Sequence, residues 1–310
     1  SVDLAAPQPA RDALLPGWIP LSRLLGGFYV VRPIGRGAGG SVLLAARAED
    51  RTRPDRELVA LKVPDYSGAA ARNLSEQEFE ELFREEAGAL LALPSHGNLA
   101  RFITFDASAQ PKPVLAMEYV RGVNVERLLE TGNIAMERAV SIIDDLFAGI
   151  EAMHRVRIAH LDIKPANLVL RASTGRAVLV DFGLAGRRLR TGCGSAHYAA
   201  AEVWRDVDAD LPPFAADVYA AACVAFEILT TTVLIRGATL QAVLDQHFTA
   251  EPGAAVLEAY AAHPVLRGLT TLVRSAVTRD PARRPTAARL RAEFTAIAPG
   301  LRTLPWPLTS

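Results

Sequence analysis

His160-Leu161-Asp162-Ile163-Lys164-Pro165-Ala166-Asn167 decides how this chain is read, together with Asp181-Phe182-Gly183, which begins fourteen residues after Asn167. Between them lie Leu168-Val169-Leu170, a Ser173-Thr174-Gly175 turn and Ala177-Val178-Leu179-Val180. Two short apolar runs around a glycine-containing turn predict a β-hairpin. A hairpin returns the chain close to where it left, so Asn167 and Asp181 are expected to meet in space. Asp and Asn oxygens side by side are hard donors, suited to a Mg²⁺ that keeps waters and phosphate oxygens as its other ligands. Asp162 then stands near the metal without needing to bind it, where a base that orients a nucleophile belongs. Lys164 adds a positive charge beside a transferring phosphoryl group.

Outside this stretch the 310 residues suffice for one large core or for two lobes around a cleft. Half are hydrophobic, and 34 Lys and Arg balance 34 Asp and Glu, as in an ordinary soluble globular chain. That balance gives no support to a nucleic-acid or polyanion surface. Cys193 and Cys223 are too few for a disulfide framework, so a reducing, cytoplasmic setting is expected. No run reaches the roughly 18 apolar residues of a membrane span. The most apolar piece, Val218 to Leu229, is interrupted by Glu227 and reads as a buried helix. Asp3, Pro7 and Pro9 break up any apolar signal core. The missing initiator Met suggests a piece of a longer protein, and the abundant Ala and Arg suggest a GC-rich bacterial genome.

Residues 1–27, with Trp18 in Pro16-Gly17-Trp18-Ile19-Pro20, read as an extended arm; strand character is expected from Phe28. Gly35-Arg36-Gly37-Ala38-Gly39-Gly40-Ser41-Val42 follows, and its glycines let a backbone lie flat against phosphates. A dinucleotide fingerprint requires a helix after the glycines. Here β-type residues Leu43-Leu44-Ala45-Ala46 follow instead. Lys62 is embedded in the predicted strand Glu57–Val63. Ser75-Glu76-Gln77-Glu78 is a capping-box signature opening a helix. Phe79, Leu82, Phe83, Glu86, Leu90 and Leu93 fall on one face of that helix. A carboxylate in an apolar stripe needs a cation, and Lys62 is the candidate for Glu86, whereas Glu85 falls off the stripe. His96 has no partner at metal-ligand spacing and reads as structural. An amphipathic helix is expected from about Glu137 to Arg157, with His154 among its apolar positions.

The whole set resembles the eukaryotic-type (Hanks-type) serine/threonine protein kinases of bacteria: strand–glycine loop–strand, the strand Lys, the helix Glu, the catalytic loop and Asp-Phe-Gly, in that order. The resemblance covers roughly residues 28–298. It implies an α+β, bilobal fold, with a β-rich N-lobe (28–117) carrying one main helix, a hinge (118–121) and a mostly helical C-lobe (122–298). The arm (1–27) and a short tail (299–310) lie outside it. It also implies ATP with Mg²⁺ (or Mn²⁺), and transfer of the γ-phosphate to protein Ser/Thr hydroxyls. In this likeness Ile34, Gly35, Arg36, Gly37, Ala38, Gly39, Gly40, Ser41 and Val42 cover the nucleotide. Lys62, paired with Glu86, holds phosphates. Met117 is the gatekeeper, Glu118 and Val120 meet the adenine edge through their backbones, Asp162 and Lys164 are catalytic, and Asn167 and Asp181 hold the metal. The likeness also pairs Arg284 with Glu202, and Lys164 and Ser195 match the Ser/Thr type rather than the tyrosine type.

Three departures qualify the likeness. Leu161 stands where the family often has an Arg that grips a phosphorylated activation loop, and leucine cannot pair with phosphate. Activity without activation-loop phosphorylation is therefore expected. Ala201 replaces Pro in the Ala-Pro-Glu end mark, which bears on substrate geometry. The segment after the central helix lacks the usual Pro-Phe pattern, so the surface docking other proteins is expected to be unusual. The alternatives are a nucleotide-binding pseudokinase and a small-molecule kinase of the same fold. A pseudokinase usually lacks one of the charged residues above; small-molecule kinases usually lack the loop Lys and the end mark.

Overall fold

The computed structural model describes residues 15–37, 40–64, 75–182, 185–186, 194–204 and 213–310, and of Arg36, Gly37 and Glu86 the backbone only. It divides into two compact units, one built from residues up to 87 together with 102–119, the other from 88–101 together with 120–310. The first is a six-stranded antiparallel sheet in the order β1-β2-β3-β4-β6-β5. Its strands are β1 (Leu24–Leu25), β2 (Phe28–Gly37), β3 (Gly40–Arg47), β4 (Leu58–Val63), β5 (Phe102–Asp106) and β6 (Val114–Glu118).

Strand alternation sorts this sheet into two faces. Leu43, Ala45, Val59, Leu61, Val63, Val114 and Ala116 join one buried cluster with Phe28 and Val30. The opposite face carries Val42 across from Lys62, Lys62 across from Leu115, and Ala60 across from Met117. The N-terminal stretch is part of this unit: Ile19 and Leu25 are buried in the cluster, with Leu15 and Trp18 packed against it. Strand pairing begins at Leu24, earlier than the expected Phe28, through Leu24 opposite Tyr29. A two-residue strand is too short to display an alternation.

Helix α1 (Glu76–Leu90) starts as its capping box predicts. The Ser75 amide donates to Glu78 Oε2 at 2.7 Å, and the Glu78 amide donates to Ser75 Oγ at 3.2 Å. The Ser75 amide and the Ser75 hydroxyl, which also donates to Glu78 Oε2 at 2.7 Å, hold the Glu78 carboxyl below its usual range.

The second unit is mainly helical. It contains α2 (Val125–Thr131), α3 (Met136–Arg155), the short α4 (Ala201–Trp204), α5 (Phe214–Thr230), α6 (Leu240–His247), α7 (Ala254–Ala261), α8 (Arg267–Ala276) and α9 (Ala287–Leu301). A three-stranded sheet, β7 (Gly122–Asn124), β8 (Leu168–Arg171) and β9 (Ala177–Leu179), includes the predicted hairpin, with Leu168 opposite Leu179. Glycine is required at 122, since a Cβ there would lie 1.8 Å from the Leu170 carbonyl oxygen. The connector His96–Leu99 docks on β9: Asn98 Nδ2 donates to Ala177 O at 2.8 Å, and the Leu179 amide to Asn98 O at 2.9 Å. His96 accepts the Asn98 amide at 3.2 Å, the structural role expected of it.

Helix α5 is buried almost end to end, as its uniform apolarity predicts. Its last carbonyls lack intrahelical partners. The chain end supplies them: Trp306 Nε1 donates to Ile228 O and the Leu308 amide to Leu229 O, both at 2.8 Å. Residues 299–310 are therefore not a free tail. Helix α9 runs through Pro299 to Leu301, and Leu308 is buried.

Candidate active site

In the helical unit the hairpin does what its sequence predicts. The Val180 amide donates to Asn167 O at 3.0 Å, which sets Asp181 next to Asn167 in space. His160 ties the same two segments. Its ring is buried and within hydrogen-bond distance of Val180 O (3.1 Å), and it accepts the Asp162 amide at 3.3 Å. It lies 5.3 Å from the buried Phe182 ring, tilted 53° to it.

The Asp162 carboxylate is the centre of a compact cluster. Ser195 Oγ donates to Oδ1 at 2.9 Å, while Lys164 Nζ and Asn167 Nδ2 donate to Oδ2 at 2.9 and 3.0 Å. Lys164 also donates to Ser195 Oγ at 3.2 Å, and Asn167 Nδ2 to the Asp162 carbonyl at 2.8 Å. A carboxylate offers about four lone-pair positions. Three are taken by described residues, which leaves one on Oδ1. The Asp162 side chain is 14% exposed.

Asn167 spends its amide nitrogen on Asp162, so its oxygen is the donor it has left. The Asp181 side chain is exposed, and it stands at φ 57°, in the left-handed region. Asp adopts that region more readily than most residues. An amide oxygen and a carboxylate on two segments joined by the Val180–Asn167 backbone bond are the hard donors that Mg²⁺ takes when phosphate and water complete its shell. The residues present fit that ion.

The loop is held from below by Asp217, near the start of α5, which is fully buried. Its oxygens accept the amides of His160 (2.7 Å) and Leu161 (2.8 Å), and Oδ2 also meets His154 Nε2 at 2.9 Å. These bonds hold Leu161 at φ 63°, a costly conformation for leucine, and thereby aim Asp162. Leu161 packs against the cluster formed by Ala199, Val203 and Ala216.

The segment carrying Ser195 has its own anchor. His247, at the end of α6, is fully buried, with Nε2 2.7 Å from Ala196 O and Nδ1 2.7 Å from the Tyr219 hydroxyl. Nε2 therefore donates to the carbonyl and Nδ1 accepts from Tyr219, which is the neutral tautomer. Burial pushes this imidazole below its ordinary 6.5. The unfolded chain then binds the proton more readily, so the domain loses stability as pH falls below about 6.5. The urea midpoint is expected to drop between pH 7.5 and 5.5, and to drop less in His247→Gln. Equal drops in both would remove His247 from this role.

In the β-rich unit, Lys62 is buried on the same face as Val42 and Met117. Met117 and Glu118 end β6, and Ser41 and Gly40 are buried at the start of β3. Ile34 and Gly35 lie in β2, as do the backbones of Arg36 and Gly37. Val120, assigned to the other unit, is buried. Ala38, Gly39, Gly183, Thr191 and the Glu86 side chain lie outside the described residues.

Sequence reading missed Asp217, His154 and His247 as supports of the loop. Asp217 carried a signal, a carboxylate at the start of a largely apolar helix, which must find partners when buried.

Residues 28–294 match the family described as protein kinase domain. The serine/threonine-protein kinase PknB of Mycolicibacterium smegmatis is 32% identical over 231 residues, covering 70% of this chain and 36% of that protein. PknB of Mycobacterium tuberculosis (strain H37Rv) is 31% identical over 232 residues, with the same 70% and 36% coverage. The serine/threonine-protein kinase pkn2 of Myxococcus xanthus is 27% identical over 301 residues, covering 90% of this chain and 34% of that protein. The chain thus spans about a third of the length of these curated relatives.

Proposed function

The chain belongs to the protein kinase domain family, and from that premise we propose that it transfers the γ-phosphate of ATP to Ser or Thr hydroxyls of protein substrates. The observation that carries this reading is the Asp162 carboxylate, fixed by Ser195, Lys164 and Asn167 with one acceptor position left. The substrate hydroxyl donates there and is oriented for in-line attack. Its proton is drawn toward Asp162 as its oxygen bonds to the γ-phosphorus and the bridging P–O bond to the β-phosphate breaks, releasing ADP. Lys164, already on Asp162 and Ser195, compensates charge developing on the transferring group. Asn167 and Asp181 are the residues that would hold Mg²⁺, which neutralises phosphate charge when bound. Lys62 and the Gly35–Val42 loop are assigned to the phosphates. Met117, Glu118 and Val120 are assigned to the adenine, and Glu86 to Lys62. The domain limits proposed are 28–298, with 118–121 as hinge. No helix among the described residues is long and apolar enough to cross a membrane.

Intact mass spectrometry after incubation with Mg·ATP and a generic basic protein tests the reading, run beside Asp162→Asn. Phosphate additions confined to the unmodified enzyme's reaction are expected. Nucleotide binding without transfer would favour a pseudokinase, and transfer confined to small molecules would favour the small-molecule alternative.

Activity is proposed to need no activation-loop phosphate, because Leu161, packed against Ala199, Val203 and Ala216, offers no charge for a phosphate to pair with. Ser195 and Tyr198 are poor test positions. Ser195 donates to Asp162, and Tyr198 donates its hydroxyl to Glu227 at 2.8 Å. Burial raises both the Tyr198 phenol and the Glu227 carboxyl. Phosphatase-treated enzyme and Thr191→Val are expected to keep full kcat, whereas Leu161→Ala loses several-fold. Loss of activity on dephosphorylation would defeat this proposal.

A further inference from the structure

A cavity of about 520 Å³ opens in the helical unit and shares no residue with the Asp162 cluster. Its floor is apolar: Phe214 and Val218 of α5, Pro281 and Pro285 of the loop before α9, and Ala288 of α9. This volume and lining are those of a small-molecule site, which adds a few placed polar groups to an apolar body.

The polar groups here are unequal. Arg284 is neutralised by Glu202, and His154 is bonded to Asp217. Arg155 pairs with Glu151, which also takes Arg291 at 3.3 Å. Arg157 differs from these. Its guanidinium lies 5.0 Å from the Phe214 ring centroid, and no carboxylate among the described residues pairs with it. An exposed planar cation over an aromatic floor suits a flat apolar group that carries an anion for the guanidinium fork.

The cavity also touches the catalytic support. His154 forms part of its wall, and the same side chain bonds Asp217, whose oxygens hold the His160 and Leu161 amides. A ligand that shifts the His154 ring therefore bears on the two amides preceding Asp162. We propose that this cavity is a regulatory site for a small amphipathic anion, an apolar ring bearing one carboxylate or phosphate, whose occupancy changes the transfer rate through His154 and Asp217.

Calorimetry with naphthalene-2-carboxylate and with naphthyl phosphate tests binding and distinguishes the two anions. Naphthalene-2-carboxamide supplies the neutral control. At least one anion is expected to bind, and the neutral amide to bind roughly tenfold more weakly, the size of one lost charge-assisted hydrogen bond. Arg157→Asn, in which Asn accepts the φ of 63° at that position, is expected to lose a similar factor for the anion alone. Ala288→Phe, at an exposed wall position, fills the cavity and is expected to abolish binding. Saturating anion is expected to change kcat several-fold in the unmodified enzyme and not in Ala288→Phe. Absence of binding, equal binding to Ala288→Phe, or binding with unchanged kcat would each overturn the proposal. The binding arm needs no catalysis, so its failure is separable from failure of the kinase reading.

Discussion

Asp162→Asn is expected to lower phosphoryl transfer by roughly 10²–10⁴-fold, the usual contribution of a positioned acid–base group, while nucleotide affinity stays unchanged. The substitution is nearly isosteric. The remaining carbonyl oxygen of the new amide can still accept from Lys164 and Asn167, and the Ser195 hydroxyl can rotate to accept the new amide hydrogen. The cluster therefore persists, and what disappears is the negative charge and the ability to draw a proton from the substrate. Neighbouring substitutions should rank below it. Ser195→Ala removes one 2.9 Å bond to Oδ1, and Lys164→Met removes a cation 2.9 Å from Oδ2 while leaving the acceptor in place. The measurement is a steady-state rate with a Ser/Thr peptide, paired with calorimetric nucleotide binding for each variant. An Asp162→Asn enzyme working at the unmodified rate would mean that another group orients the hydroxyl, and the proposed mechanism would fail.

Much of this site was legible because its parts are close in sequence or periodic. The five-residue interval between Asp162 and Asn167 and the two apolar runs after it already placed Asp181 beside Asn167. The register of β8 and β9 agrees with that pairing. The capping box at Ser75 and the apolar run of α5 were equally local signals. What sequence could not show depends on distant pairings. Asp217 reaches His160 across 57 residues and His154 across 63, and His247 reaches Ala196 across 51. None of these has a spacing rule, and only the cost of burying an unpartnered carboxylate pointed to Asp217. Residues 299–310, read from sequence as a short tail, continue α9 through Pro299 to Leu301, and the residues that follow are held by Trp306 on Ile228.

Glu202→Ala is expected to destabilise the helical unit by on the order of 3–5 kcal/mol, because it leaves a buried guanidinium without its counter-charge. Arg284 and Glu202 are 0% and 5% exposed in their side chains. All five Arg284 donors are engaged. Nε donates to Thr278 O at 2.8 Å. One terminal nitrogen donates to Glu202 Oε1 and Ala215 O, and the other to Glu202 Oε2 at 3.0 Å and Arg279 O at 3.2 Å. The guanidinium also lies 4.9 Å from the Tyr219 ring centroid. Lysine has three donors and no fork, so Arg284→Lys should rescue little. A double change to Glu202→Leu with Arg284→Met should cost less than the sum of the single truncations, since it leaves no charge behind. Urea denaturation of the unmodified protein, Glu202→Leu, Arg284→Met and the double variant reads the coupling directly. The pair also joins the segment that ends at α4 to the loop before α9. The folded fraction of Glu202→Ala should therefore show a raised KM for protein substrate and an unchanged KM for ATP. Additive losses in the cycle, or equal rises in both KM values, would show that the pair contributes bulk packing rather than a specific brace for the segment carrying Ser195.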